Sequence, residues 1–311
     1  MSLVYLGTSE FAAAVLERLA GSEDQRPALV ITRPDRPSGR GRRITAPPVA
    51  ERARSLGIEV AQPESVNSPE ARALIAGAAP AGATSGCSAP QTIVVCAFGA
   101  LIKEPLISEH EILNVHPSLL PRWRGAAPIE RSLMAGDEKT GVSIMRLTAG
   151  LDSGPVCLCG VESIQAEDTY GSLAARLERL GGDLLLRALR ERPPFVEQPE
   201  VGVTYAEKIT AIDRLLDPAR PAVELERLVR ALQPHIGARV ALADGTLLGV
   251  HRAALSEIAD GVDGAGVAEG EGRLLLQCTP GVLELLVVQP PGARAMEAAA
   301  YLRGHGPVGR R

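Results

Sequence analysis

Through the first half of the chain, short runs of β-branched residues and leucine alternate with stretches of helical periodicity. Residues 3–6 (LVYL), 28–32 (ALVIT), 58–61 (IEVA), 92–97 (TIVVCA) and 112–115 (ILNV) read as strands, and most are nearly continuous in Val, Ile and Leu. Strands of that kind are covered on both faces. Between them lie helical stretches at 10–20, 47–56, 69–77 and 101–109. The alternation predicts a parallel, Rossmann-like α/β sheet. Right-handed crossovers then place the loop after each strand at the carboxyl edge, where such sheets bind ligands.

A helix near 126–136, strands near 141–147 and 154–163, and a long amphipathic helix with Leu173, Leu177, Leu180 and Leu184 on one face continue this pattern. RPPFVEQPEVG, at 192–202, holds three prolines in eleven residues and reads as a linker. Beyond it the character changes. Residues 221–232 predict one helix, with Leu225, Leu228, Val229 and Leu232 at helical spacing. Alternating segments at 238–243, 246–253, 273–278 and 282–288, separated by glycines, predict a small β-barrel or sandwich. The 311 residues exceed one ordinary compact domain, so two are expected, 1–204 and 205–311. Residues 76–90 are small and interrupted by Pro and Gly, the composition of a flexible loop without a catalytic part.

Composition narrows the class of function. A net charge of −4 excludes a uniformly basic nucleic-acid coat but not a local patch. Three Phe, four Tyr and one Trp are too few for stacking base after base. Cys87, Cys96, Cys157, Cys159 and Cys278 have no framework spacing, and no neighbouring Cys or His pair completes a zinc set, so reduced thiols and no metal are expected. The opening MSLVYLGTSEF lacks a signal pattern, and nowhere do 18 uncharged apolar residues run together. The expectation is a soluble cytoplasmic protein without membrane contact, and a monomer, since no apolar stripe marks an interface.

The segment richest in chemistry is Asn114-Val115-His116-Pro117-Ser118-Leu119-Leu120-Pro121. Strand alternation sends Asn114 and His116 to one side at a strand's carboxyl end. An amide there can donate to an oxygen becoming negative, and an imidazole can move a proton at neutral pH. Asp152, between Gly150 and Gly154 in a turn joining two strands, offers a carboxylate that could orient the imidazole. The same residues also fit a turn-capping pair and an ordinary turn aspartate. Ser118 and Ser153 lie in no G-x-S-x-G elbow, and Gly7-Thr8-Ser9 lacks a dinucleotide fingerprint. Residues 33–43 (RPDRPSGRGRR) carry five Arg against one Asp, and their two prolines and two glycines exclude a regular helix. They read either as a solvated loop or as one that follows a phosphate backbone.

The segment NVHPSLLPRWRGAAPIERSLMAGDEKTGVSIMRLTAGLDSGPV closely resembles the folate-dependent formyltransferases. So do VYLGTSEFA, TRPDRPSGRGRR, VVCAFGALI, TYAEKI and QPPGARAM with YLRG, in the family's order along nearly the whole chain. Two departures stand out: the 76–90 loop is long for the family, and Pro117 replaces a small residue often found after the histidine. The resemblance implies a Rossmann-like formyltransferase domain followed by an OB-like β-barrel. It implies transfer of formyl from 10-formyltetrahydrofolate to the α-amino group of methionine on initiator tRNA. Asn114, His116 and Asp152 match its catalytic trio. Ser118, Leu119, Leu120 and Pro121 match its folate-contacting loop, and Val95 to Leu101, including Cys96, Phe98 and Gly99, match its pterin pocket. Arg36, Arg40, Arg42 and Arg43 fall in its tRNA-binding insertion, and the tRNA role of the second domain rests on the resemblance alone. Two other readings stay open here: another acceptor, glycinamide ribonucleotide or an amino-sugar nucleotide, and an RNA-binding module without catalysis.

Overall fold

The computed structural model describes residues 3–38, 43–78, 91–257 and 266–305. They form two compact units: Met1–Ala126, Thr140–Ser163 and Ala174–Tyr205 in one, Ala127–Lys139, Ile164–Leu173 and Ala206–Arg311 in the other. No described helix is long and apolar enough to cross a membrane.

Along the chain come β1 (Leu3–Gly7), α1 (Glu10–Ala20), β2 (Leu29–Ile31), β3 (Arg36–Ser38), β4 (Arg43–Thr45), α2 (Pro48–Ser55), β5 (Glu59–Ala61), α3 (Pro69–Gly77), β6 (Thr92–Cys96), α4 (Leu106–Glu109) and β7 (Glu111–His116). Then follow β8 (Arg124–Gly125), α5 (Pro128–Ala135), β9 (Lys139–Arg146), β10 (Val156–Ser163), α6 (Tyr170–Glu191) and β11 (Tyr205–Ala206). The main sheet has the order β10-β9-β7-β6-β1-β2-β5. The expected parallel core is present: β1 pairs with β2 and β6, β2 with β5 and β6 with β7, all parallel. β9 runs antiparallel to β7, with Asn114 opposite Met145 and His116 opposite Ser143.

Both faces of this sheet are covered, as the unbroken apolar runs require. Val4, Leu6, Leu29, Ile31, Ile93, Val95 and Ile112 join one buried cluster. On the other face the Tyr5 hydroxyl donates to the Ala12 carbonyl of α1 at 2.6 Å. Ser9 caps α1 through its hydroxyl, which accepts from the Ala12 amide. In α6, Leu173, Leu177 and Leu184 are buried as their spacing predicts, while Leu180 of the same face is only half-buried. A Cβ on Gly181 would sit 3.1 Å from Val115, so this glycine lets α6 lie close beneath β7.

Three expectations change. The helix of 101–109 shrinks to Leu106–Glu109, because the residue before Pro105 is steered away from helical backbone. The arginine-rich segment is braced by an antiparallel ribbon, with Arg36 opposite Thr45 and Pro37 opposite Ile44. Proline and glycine exclude a helix there, but not extended backbone. The proline-rich 192–202 stretch does more than connect: Val196 bridges to Val156, and the Arg146 guanidinium stacks 4.1 Å from the Phe195 ring centre. Most of the 76–90 loop, with Cys87, lies outside the described residues.

The second unit carries α7 (Ala222–Ala231), β12 (Ala238–Ala241), β13 (Leu247–Leu255), β14 (Gly266–Gly270), β15 (Arg273–Gln277), β16 (Val282–Gln289), β17 (Met296–Glu297) and α8 (Ala298–His305). Its antiparallel sheet runs β12-β13-β16-β15-β14, with β17 also on β16. The register shifts between Val250 and Ala253 mark a bulge, which increases local twist and curls the sheet into a half barrel. Leu225, Leu228, Val229 and Leu232 pack with Val240, Leu248, Val250, Leu276 and Leu285 in one core. The sequence gives no strong signal for β14, β17 or α8, which are short.

Candidate active site

The carboxyl end of β7 brings Asn114 and His116 to one face of the sheet, both buried. Pro117 ends the strand and the chain turns sharply. The Ser118 amide donates to the His116 carbonyl, the Ser118 hydroxyl to the Arg122 carbonyl at 2.6 Å, and the Ser143 hydroxyl to the Ser118 carbonyl at 2.7 Å. The Leu120 amide donates back to Ser143 Oγ. Closed this way, the loop returns the Trp123 carbonyl to the imidazole, 2.8 Å from His116 Nε2. A carbonyl only accepts, so Nε2 carries the proton.

Asp152 arrives from the turn between β9 and β10. Its backbone is left-handed, with φ of 44°. Oδ2 stands 3.6 Å from His116 Nδ1 and accepts the Gly125 amide at 2.8 Å, while Oδ1 accepts from Asn114 Nδ2 at 3.4 Å. The three residues singled out from sequence therefore converge. The imidazole thus lies between a carboxylate oxygen facing Nδ1 and a carbonyl bonded at Nε2, beside the Asn114 amide.

The remaining candidate residues are placed as follows. Ser118 is fully buried and its hydroxyl closes the turn; Leu119, Leu120 and Pro121 are half-buried on the same loop. Cys96 ends β6 in the core, and burial pushes its thiol up to about 12, against a hydrogen bond with Tyr5, so it is no nucleophile at neutral pH. Phe98 is buried, and Gly99 takes φ of 72° with its carbonyl accepting from Arg33. Leu101 points largely to solvent, at 69 % exposed. A cavity of about 240 Å3 lies between Phe98, Leu101, Asn67, Ser65, Arg33 and Arg36. Arg36 and Arg43 stand on the β3–β4 ribbon; Arg40 and Arg42 lie outside the described residues. Among the described residues no group of three or more His, Cys, Asp or Glu is placed to hold a metal ion.

The sequence reading missed the neighbours that set this geometry. Ser143 on β9 ties down the 118–120 turn. Thr204 accepts the Trp123 amide on its hydroxyl and the Arg124 amide on its carbonyl, both at 2.9 Å. Arg124 donates to Gln198, and Gln198 in turn donates to the Asp152 turn. None of these has a local pattern that could have marked it.

Comparison with known proteins gives a consistent match. Residues 1–189 fit the family model described as formyl transferase, and residues 208–306 the one described as formyl transferase, C-terminal domain. The chain is 41 % identical over 308 residues to a methionyl-tRNA formyltransferase of Halorhodospira halophila, covering 97 % of this chain and 96 % of that one. Among solved structures, a methionyl-tRNA formyltransferase from Clostridium thermocellum aligns with a TM-score of 0.59 at 14 % identity, over 82 % of this chain and 94 % of that one. HypX from Aquifex aeolicus, solved with tetrahydrofolic acid, aligns with a TM-score of 0.61 at 16 % identity over 97 % of this chain. The chain spans about half of that longer protein, 47 % of its length. At such identities these structures speak for the fold alone.

Proposed function

The chain belongs to the formyl transferase family, and from that premise we propose that it transfers the formyl group of 10-formyltetrahydrofolate to the α-amino group of methionine on initiator tRNA. One observation carries the choice of acceptor: similarity to a methionyl-tRNA formyltransferase extends over 97 % of the chain, through both the sheet unit and the half barrel. The enzyme works as a cytoplasmic monomer, with residues 1–204 catalysing the transfer and 205–311 helping to hold the tRNA.

The residues support a direct transfer. The methionyl amine attacks the formyl carbon, a C–N bond forms, and the carbonyl electrons move onto oxygen. Asn114 Nδ2 and the protonated imidazole of His116 stabilise that oxyanion. One such donor is worth about 3 kcal/mol of barrier. The Nε2 proton, held by the Trp123 carbonyl in the resting site, is the one His116 can present to the substrate. As the tetrahedral centre collapses, the bond from carbon to the folate N10 breaks. The imidazolium gives its proton to N10 as that bond breaks, and the neutral imidazole then takes the proton lost by the former amine. Asp152 balances the imidazolium whenever it is present, its carboxylate held by the Gly125 amide. The donor is already an activated carbonyl, so this route needs no metal and no covalent enzyme intermediate. The 118–121 loop and the segment through Cys96, Phe98 and Gly99 flank the trio and form the folate side. Arg36, Arg40, Arg42 and Arg43 meet the tRNA backbone.

Incubation with 10-formyltetrahydrofolate and, in parallel, methionyl initiator tRNA, glycinamide ribonucleotide or an amino-sugar nucleotide tests this assignment. Formylation of the charged tRNA is expected. Formylation of either small acceptor in its place overturns it, and transfer to none of them returns the chain to an RNA-binding role.

A further inference from the structure

Gln198 sits in the middle of the proline-rich stretch that composition marks as a connector. Its side chain makes four hydrogen bonds within one unit. Oε1 accepts from Arg124 Nε at 3.0 Å and Nη2 at 2.7 Å, while Nε2 donates to the carbonyls of Asp152 at 2.8 Å and Gly154 at 2.7 Å. The orientation of this amide is unambiguous, because a guanidinium only donates and a carbonyl only accepts. The carbonyls belong to the turn that presents Asp152, whose left-handed backbone (φ of 44°) is unfavourable for a residue with a Cβ. Gly154 is also wedged there: a Cβ would stand 2.0 Å from the Arg146 carbonyl oxygen. The same short segment, 124–125, supplies both Arg124 to Gln198 and the Gly125 amide to the Asp152 carboxylate.

We propose that Gln198, oriented by Arg124, is a positioning residue that fixes the 152–154 turn and thereby the Asp152 carboxylate against His116. It touches no reacting atom. A glutamine is the side chain suited to the place, since it accepts from the guanidinium on one side and donates to both carbonyls on the other. Glutamate keeps the size and strengthens the pair with Arg124, but sets a negative oxygen against two carbonyl oxygens. The inference deepens the assignment of the trio as catalytic and rests on it for its kinetic readout.

Gln198→Ala and Gln198→Glu are compared with the unaltered full chain by formyl-transfer kinetics and by nuclear magnetic resonance of the Gly125 amide. Both variants are expected to lose about 10–100-fold in kcat, the usual effect of removing a group that orients a reacting one, with KM for either substrate within about twofold. The Gly125 amide proton, held by Oδ2 in the native turn, is expected to move upfield and exchange faster with solvent in both. A Gly125 signal and a kcat unchanged in Gln198→Ala overturn the proposal, as does a Gln198→Glu enzyme of full activity. Should either variant unfold, Arg124→Met, which removes only the orienting partner, is expected to give the same changes more weakly, and its failure to do so counts equally against it. If the unaltered chain formylates no methionyl-tRNA, the functional assignment fails, and the Gly125 signal alone decides the role of Gln198.

Discussion

Asp152 holds Oδ2 3.6 Å from His116 Nδ1, and that same oxygen accepts the Gly125 amide at 2.8 Å. One carboxylate oxygen thus serves both the imidazole and the backbone that frames it. Asp152→Asn separates the two duties. The amide oxygen still accepts from Gly125, but the negative charge facing the imidazole is gone, and the amide nitrogen in the place of Oδ1 no longer accepts the 3.4 Å contact from Asn114. A loss of about 10^2–10^4 in kcat is expected, with the unfolding midpoint nearly unchanged. Single-turnover formyl transfer measures it, and an Asp152→Asn enzyme as fast as the original removes the carboxylate from the mechanism.

Asn114 and His116 are expected to act on the transition state and not on tRNA binding. Asn114→Ala lowers kcat by about 10^2–10^3-fold, the effect of losing one oxyanion donor, and His116→Ala lowers it at least as far. The affinity for uncharged initiator tRNA, followed by fluorescence anisotropy, stays within about twofold in both. A matching fall in affinity would instead make the pair structural.

How much of this was readable beforehand depends on the range of the interactions. The strand ending at His116 and the shared face of Asn114 and His116 follow from local alternation, so they could be read directly. The apolar spacing of Leu225, Leu228, Val229 and Leu232 gave α7 in the same way. The approach of Asp152 depends on how β9 and β10 lie beside β7, which no local period encodes; the resemblance suggests it, and Oδ2 stands 3.6 Å from the imidazole. Gln198 was hidden because a glutamine among prolines has the composition of a connector, and its three partners, Arg124, Asp152 and Gly154, lie far off in sequence. The β3–β4 ribbon was missed for a related reason: Pro37 and the flanking glycines argue against a helix, and only the pairing of Arg36 with Thr45 reveals the extended form.

Gly154 joins stability to function at one position. An added Cβ meets the Arg146 carbonyl oxygen at 2.0 Å and the Thr148 methyl at 3.0 Å, and the first contact is with backbone that cannot rotate aside. Gly154→Ala is expected to destabilise the chain by about 1–3 kcal/mol in urea unfolding and to displace the Asp152 turn, lowering kcat. Wild-type stability together with wild-type turnover would mean that the turn accommodates the methyl group.

The β3–β4 ribbon leads to a salt-dependent prediction. Arg36 and Arg43 stand on an exposed two-stranded element of a protein with net charge −4, so any attraction to a phosphate backbone is local. The Arg36→Ala, Arg43→Ala double variant is expected to weaken tRNA binding and to reduce the slope of log affinity against log salt by about 1–2, less than one unit per lost phosphate contact. Catalysis at saturating tRNA stays nearly unchanged. A slope equal to that of the original chain would return these arginines to the solvated surface.

Glu178, on α6, tests the electrostatics of the sheet unit apart from catalysis. Burial pushes its carboxyl up to about 7 from an ordinary 4.5, with Glu10 adding to the effect and Arg179 opposing it. The folded state therefore binds this proton more tightly than the unfolded chain. The native fold suffers no penalty below about pH 4.5, where the group is protonated in both states. The penalty grows as the unfolded chain ionises and the native one does not, and levels off once the native carboxyl has also ionised above about pH 7. Glu178→Gln removes the charge while keeping the shape. It is expected to leave stability unchanged near pH 4.5 and to raise it by about 1–2 kcal/mol at about pH 8, after allowance for solvent screening of a half-buried group. Urea unfolding of both chains across this range measures the difference. A gain already present at the acid end, or one that shrinks as pH rises, has the wrong sign for a buried carboxylate and would place the origin of the effect elsewhere.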